Sequence, residues 1–235
     1  MKDTWLIAPG RVPYGTAYDA MHELAEARKR DEVPNALILL EHPPTYTAGR
    51  RTHPAHLLSV EADAARLGAE VHHVDRGGSV TFHGPGQLVG YPVLALGSAP
   101  DVLRYLRDIE ETIIRAAADL GAALHRDPQH TGVWAGDRKV CAIGVRMSRG
   151  ITLHGFALNC TTDLAWFDAI VPCGLTDRTV GTLSAVAGRT VSVGDSLPAV
   201  ARRFEEVFDC RLVPAPADAI APWAAHPAEA VAALP

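Results

Sequence analysis

The chain has 235 residues, of which 48% are hydrophobic, enough for a sizeable core and too many for a disordered chain. Its 22 lysines and arginines against 27 aspartates and glutamates leave a formal charge of −5, which argues against a protein built mainly to grip nucleic acid. No apolar run approaches the roughly 18 residues of a membrane span, and the start, Met1-Lys2-Asp3-Thr4-Trp5-Leu6-Ile7-Ala8-Pro9, is too short in apolar residues for a secretory signal; a cytoplasmic protein with no membrane partner is expected.

Residues 4–8 read as a first strand and 16–30 as a helix with Ala17, Met21, Leu24 and Ala25 on one face. Residues 36–40, Ala-Leu-Ile-Leu-Leu, are too short for a core helix and predict a buried strand. Residues 41–51 read as a loop by their prolines, yet carry His42, Tyr46 and the pair Arg50 and Arg51. A site role for them requires that this loop fold beside the glycine-rich stretch described below. A short helix over 59–67 and a strand over 71–75 follow; adjacent His72 and His73 would point to opposite faces and so would not share a metal. Asp101 is a predicted N-cap for a helix whose apolar residues, from Val102 to Leu120, recur at helical spacing.

From Thr131 the pattern turns to strands, with Gly136-Asp137 as a hairpin signal and long runs over 139–147 and 151–159 turned at 148–150. A helical turn is expected at 164–170, a second over 182–186, a short strand at 190–193 and a last helix over 197–208. The Ala/Pro-rich residues 214–235 predict a loosely ordered tail after a domain spanning 1–213. Hairpins with segregated helices, and no repeat or long linker, indicate a single α+β domain.

The most informative stretch is Asp75-Arg76-Gly77-Gly78-Ser79-Val80-Thr81-Phe82-His83-Gly84-Pro85-Gly86-Gln87. Glycine lets backbone approach a ligand closely, while Arg76 and His83 add a fixed cation and a titratable group. It reads as a ligand-facing loop between two strands. It is not a Walker loop, since no Gly-Lys-Ser/Thr follows, nor a dinucleotide fingerprint, since strand-like residues follow it. No G-x-S-x-G, H-E-x-x-H or clustered Cys/His is present, so neither a serine hydrolase nor a metal site has motif support. His83 and His154 are candidate bases, with Asp75 and Asp163 as available carboxylates.

The cysteines Cys141, Cys160, Cys173 and Cys210 form no C-x-x-C pair, and free thiols are expected. Cys173 lies between Pro172 and Gly174, a setting that presents a thiol, but a loop cysteine packed in the core fits as well. Its reactivity needs a nearby cation, for which Lys139, opening an apolar strand, is a candidate. Cys141 is the local rival, because residues i and i+2 of a strand share a face and Cys141 would stand beside Lys139.

Four ordered blocks carry a resemblance: Arg76 to Gln87 with Tyr91-Pro92, then Arg138-Lys139-Val140-Cys141-Ala142-Ile143-Gly144, then His154-Gly155-Phe156-Ala157-Leu158-Asn159, and Pro172-Cys173-Gly174. They resemble the signatures of the lipoyl(octanoyl) transferases. That resemblance implies the mixed-sheet α+β catalytic domain of biotin and lipoate protein ligases. It implies transfer of an octanoyl group from acyl carrier protein to a lysine of lipoyl domains, those of 2-oxoacid dehydrogenase E2 subunits and of the glycine cleavage H protein. It also implies Cys173 as thioester nucleophile, Lys139 as its paired base, and an acyl pocket lined by Arg76, Gly77, Gly78, Ser79, Val80, Thr81, Phe82, His83, Ala142, Ile143, Gly144, Gly155, Phe156 and Ala157. No metal and no cofactor beyond the carrier's phosphopantetheine are implied. An ATP-dependent lipoate or biotin ligase is the alternative of the same fold, and a non-catalytic acyl-lysine binding module the alternative of another class.

Overall fold

In the computed structural model, which describes residues 1–170 and 179–223 (backbone alone at 54–59), a long mixed sheet supports a small three-stranded one. In chain order the elements are β1 (Lys2–Arg11), α1 (Tyr14–Lys29), β2 (Asn35–Glu41), β3 (Thr45–Ala48), α2 (Pro54–Leu67), β4 (Glu70–His73), β5 (Val80–His83), β6 (Gln87–Val93), α3 (Val102–Asp119), β7 (His125–Arg126) and β8 (Val133–Ala135). They continue with β9 (Arg138–Ser148), β10 (Ile151–Asn159), β11 (Thr179–Val180), α4 (Leu183–Ala187), α5 (Val193–Phe208), β12 (Cys210–Pro214) and α6 (Ala217–Ile220).

The large sheet runs β12-β1-β2-β6-β10-β9-β8-β7, with β11 pairing β9 off this path. Strand alternation sorts the apolar run of β2 between two cores. Leu37 and Leu39 face α3 and α5, with Ile109, Ile113, Val200 and Phe204, while Ile38 and Leu40 face α1, with Met21 and Leu24. Burial on both faces explains why the run lacks polar alternation. Asp101 caps α3 as expected, accepting from Arg104 N–H at 2.9 Å.

Four expectations are corrected. The proline-rich loop contains β3, and the glycine stretch contains β5. These two pair antiparallel, and β3 pairs parallel with β4, making the second sheet. The expected strand at 190–193 is instead the start of α5: Ser192 and Asp195 form a capping box, so the helix begins one residue later at Val193. The tail is ordered at least to residue 223, because Trp223 is fully buried in the core beneath α1. A hydrophobic anchor outweighs the Ala/Pro composition around it. Finally, the register between β8 and β9 slips by one residue, Val133 pairing Cys141 but Trp134 pairing Lys139, which leaves Val140 as a bulge. The bulge re-aims Lys139, so the shared face predicted for Lys139 and Cys141 does not exist.

Candidate active site

A cavity opens between the small sheet and the β9–β10 hairpin. One wall is the glycine stretch, residues 76–81 and 83; the other is residues 142–144 of β9 and 155–157 of β10, with Tyr14, Tyr91, His154 and Lys139 completing it. Thirteen of the fourteen residues of the expected pocket are thus brought together with Lys139. Phe82 is not: it sits between Thr81 and His83 on a strand, so its ring turns to the opposite face. There it stacks on Trp166 at 5.1 Å and meets Tyr46 and Phe167 in the core of the small sheet.

The polar wall is held by Arg76, which is 7% exposed. Its guanidinium donates to Ser79 O at 2.8 Å, Gly77 O at 3.0 Å, Thr47 O at 2.7 Å and Thr47 Oγ1 at 2.8 Å. A buried cation requires acceptors of this kind. Room for it comes from two glycines. A Cβ at position 49 would fall 2.7 Å from Arg76 Nη1 and 2.6 Å from Gly78 O, and one at position 144 would fall 3.0 Å from Gly77 O. The loop carrying Arg50 and Arg51 does fold beside the glycine stretch: their backbone N–H groups donate to Arg76 O and Gly78 O at 3.1 and 3.0 Å.

The apolar wall works by what it omits. Ala142, Gly144 and Ala157 present at most a methyl group to the cavity, whereas Gly155 is demanded by the neighbouring strand, because a Cβ there would lie 2.2 Å from Gly90 O. Phe156 also borders the cavity, but its ring packs over Gly90 in the main core, where a Cβ at position 90 would lie 2.1 Å from Phe156 Cζ.

Lys139 crosses Gly132, with its Nζ 4.7 Å from the centre of the Trp134 ring. Gly132 is in turn held from α3, its N–H donating to the fully buried Glu110 at 3.1 Å. Lys139 also borders a smaller adjoining cavity that reaches Gln87, Asn159, Phe167 and Val180. Cys141 is fully buried in the main core, and burial pushes its thiol far up, so it offers no thiolate. Cys160 is likewise buried and pushed up to about 11. Cys173 lies outside the described residues.

Histidines and tyrosines surround the polar wall: His83 and His154 are the candidate bases, while pattern reading gives Tyr14 and Tyr91 no role there. His154 is 2% exposed, adopts φ +57° within a strand, and hydrogen-bonds Asp75 at 2.7 Å through Nε2. Burial, with Arg76 next, pulls it down to about 3, so it is a neutral ring that donates to the Asp75 carboxylate. His42 must carry its proton on Nδ1, which faces the Val12 carbonyl at 2.7 Å, so its Nε2 accepts from Tyr91 O–H at 2.7 Å. Burial lowers His42 to about 4. Tyr14 stacks on His83, with ring centres 5.8 Å apart. The block His154 to Asn159 and the Tyr91-Pro92 pair were visible in the sequence, but only the fold places His154 and Tyr91 at the cavity. Among the described residues no group of His, Cys, Asp and Glu could hold a metal ion, and no helix is long and apolar enough to cross a membrane.

Residues 13–205 match the family described as the lipoyl protein ligase A/B catalytic domain. The octanoyltransferase of Rubrobacter xylanophilus is 48% identical over 202 residues, covering 85% of this chain and 91% of its own. The chain belongs to the octanoyltransferases of the lipoyl protein ligase A/B family. The bipartite lipoate protein ligase from Thermoplasma acidophilum, solved in an archaeal lipoylation system with an E2 lipoyl domain, shares the fold with a TM-score of 0.73 at 18% identity, over 92% of this chain and 87% of that one. A biotin protein ligase from Aquifex aeolicus in complex with biotin and ATP shares it more distantly, with a TM-score of 0.54 at 12% identity over 89% and 71% of the two chains. The expected α+β fold and the octanoyltransferase family are thereby confirmed, and a non-catalytic binding module is set aside.

Proposed function

We propose that this octanoyltransferase of lipoate biosynthesis takes its acyl group from the phosphopantetheine thiol of acyl carrier protein, holds it as a thioester on Cys173, and passes it to the ε-amine of a lipoyl-domain lysine. The acceptors are the lipoyl domains of 2-oxoacid dehydrogenase E2 subunits and of the glycine cleavage H protein, and the setting is the cytoplasm. The observation that carries this reading is the position of Lys139, a cation bordering a cavity whose other wall is a row of small apolar residues. An eight-carbon chain suits such a wall, and a thiolate suits such a cation.

The steps balance as follows. The Cys173 thiolate, paired with the Lys139 ammonium, attacks the carrier-bound thioester carbonyl. The tetrahedral intermediate collapses with loss of the phosphopantetheine thiolate, which takes a proton from Lys139. The neutral acceptor amine then attacks the Cys173 thioester, Lys139 takes the amine's proton, and the Cys173 thiolate leaves. The product is an octanoyl amide, and the thiolate–ammonium pair is restored. No ATP is consumed, because both acyl donors are already thioesters.

Intact-protein mass spectrometry after mixing with octanoyl-acyl carrier protein, without ATP, tests this in wild type, Cys173→Ala and Cys141→Ala. A gain of one octanoyl group, lost in Cys173→Ala alone, is the expected result. Labelling that depends on Cys141 instead, or labelling that requires ATP, overturns it.

A further inference from the structure

A chain of buried polar groups, none assigned to the acyl pocket except its first members, runs from Arg76 to the backbone of Lys139. Thr47 Oγ1 meets His83 Nε2 at 3.3 Å, and His83 Nδ1 meets Gln87 Oε1 at 2.9 Å. Gln87 Nε2 lies 3.1 Å from Phe82 O and 2.9 Å from Asn159 Oδ1, and Asn159 Nδ2 lies 3.1 Å from Gly181 O. The N–H of the same Gly181 donates to Lys139 O at 3.0 Å, beside the β11–β9 pairing of Val180 with Lys139. Gln87 and Asn159 are direct cross-strand partners at the ends of β6 and β10, and are 1% and 3% exposed.

The polarity of this chain is forced from its far end. Gly181 O and Phe82 O can only accept. Asn159 must therefore turn its amide nitrogen to Gly181, which leaves its oxygen for Gln87. Gln87 must then turn both N–H groups to Asn159 and Phe82, so its oxygen faces His83. His83 must answer with a proton on Nδ1, leaving Nε2 as a lone pair. Thr47 can fill that role, because its oxygen already accepts from Arg76 and its own O–H is left to donate. Every bond thus points one way, the arrangement in which hydrogen bonds reinforce each other.

We propose that Gln87 and Asn159 are positioning residues for octanoyl transfer, fixing Gly181 against the Lys139 backbone and holding the cavity-lining His83 as its neutral Nδ1–H form. The wall between Arg76 and Lys139 then carries no second titrating cation to oppose the Lys139 ammonium or the amine that enters. This rests on the reading that Lys139 works as the cation of the transfer. Gln87 bonds His83, and Asn159 bonds Gly181. They act on Lys139 through Gly181, and on the cavity through His83.

The test combines ¹⁵N NMR of the histidine rings with kinetics of Gln87→Leu, Asn159→Leu and the equal-sized Asn159→Asp, which keeps an acceptor for Gln87 but sets a second acceptor against Gly181 O. In wild type, the His83 signals should show the proton on Nδ1. In the variants that signature should change, and kcat should fall by about 10²-fold, the usual cost of a misplaced catalytic group, with KM for the acyl carrier little altered. An Nε2–H form of His83 in wild type, or a variant that is folded by circular dichroism and keeps wild-type kcat, overturns the inference. Loss of wild-type octanoyl labelling at Cys173 would instead overturn the covalent reading. Asn159→Asp keeps the test open if the leucine variants do not fold.

Discussion

The two walls of the cavity are made in opposite ways. The β9–β10 wall is shaped by omission, with Ala142, Gly144 and Ala157 set on long strands of the main sheet. The wall opposite is a short strand and a glycine loop, tied down by a buried guanidinium and ringed by histidines. A surface for an alkyl chain needs only rigidity and space, and a sheet supplies both. A backbone that must face a ligand has few neighbours to pair with, so side chains have to hold it. Stability should therefore depend on pH through the polar wall and hardly at all through the apolar one.

Acid should have the largest effect. His42, His83 and His154 are buried and held neutral, all three shifted downward by burial, His42 to about 4 and His154 to about 3. Their folded-state values lie below the unfolded one, so the unfolded chain binds more protons as pH falls below about 6.5. Stability is then full above that pH and declines on acidification. Each group contributes a slope of up to about 1.4 kcal/mol per pH unit, continuing until its folded value is reached. Urea unfolding midpoints measured from pH 7.5 to pH 4.5 should fall steeply, and less steeply in His154→Gln. A flat profile would mean that these rings are solvated and that the wall is not sealed.

Next comes Lys139, which stands where the two walls meet. Lys139→Ala should lower octanoyl transfer by about 10²- to 10⁴-fold, the range for removing a general acid–base group. Burial of Trp134 and Glu110 beneath it should keep the fold intact, which the unfolding midpoint checks. A variant retaining more than a tenth of wild-type transfer would remove Lys139 from the mechanism.

How far the sequence revealed these walls also differs between them. The strands behind the apolar wall follow from runs such as Leu37 to Leu40 and from the hairpin turn before Ile151, because their signals are local. The polar wall was legible as chemistry, in Arg76 and His83, but not as structure. β3 has four residues, follows two prolines, and exists only because β4 and β5, both more than twenty residues later, pair with it. The bulge at Val140 was hidden for a similar reason, since a register belongs to two strands and not to one. Two misses were avoidable. The Ser192–Asp195 capping box was present in the sequence, and strand alternation already placed Phe82 opposite Thr81 and His83. The positive φ of His154 left no trace in its neighbours.

A smaller effect should come from filling the apolar wall. Ala142 borders both cavities, so Ala142→Val should shorten the acyl chain accepted. The ratio of kcat/KM for octanoyl over hexanoyl donors should drop by about tenfold, near the value of one methylene in an apolar pocket. An unchanged ratio would place the alkyl chain elsewhere.

The smallest effect concerns the rim. Arg50, Arg51, Arg138, Arg146 and Arg149 are candidates for steering a negatively charged carrier domain. Arg146 is engaged by Asp75, whose carboxylate also holds His154, so it is removed from that group. Arg50 and Arg51 remain exposed, and their backbones are bonded to the glycine loop at the edge of the polar wall. Charges so placed act on encounter and not on chemistry. Reversing both to Glu should slow association with acyl carrier protein by roughly three- to tenfold at low salt, and the difference should shrink as salt screens it. Single-turnover transfer at saturating carrier should stay unchanged. If the saturated rate falls as well, these arginines shape the polar wall itself, and the separation between a rigid interior and a steering rim does not hold.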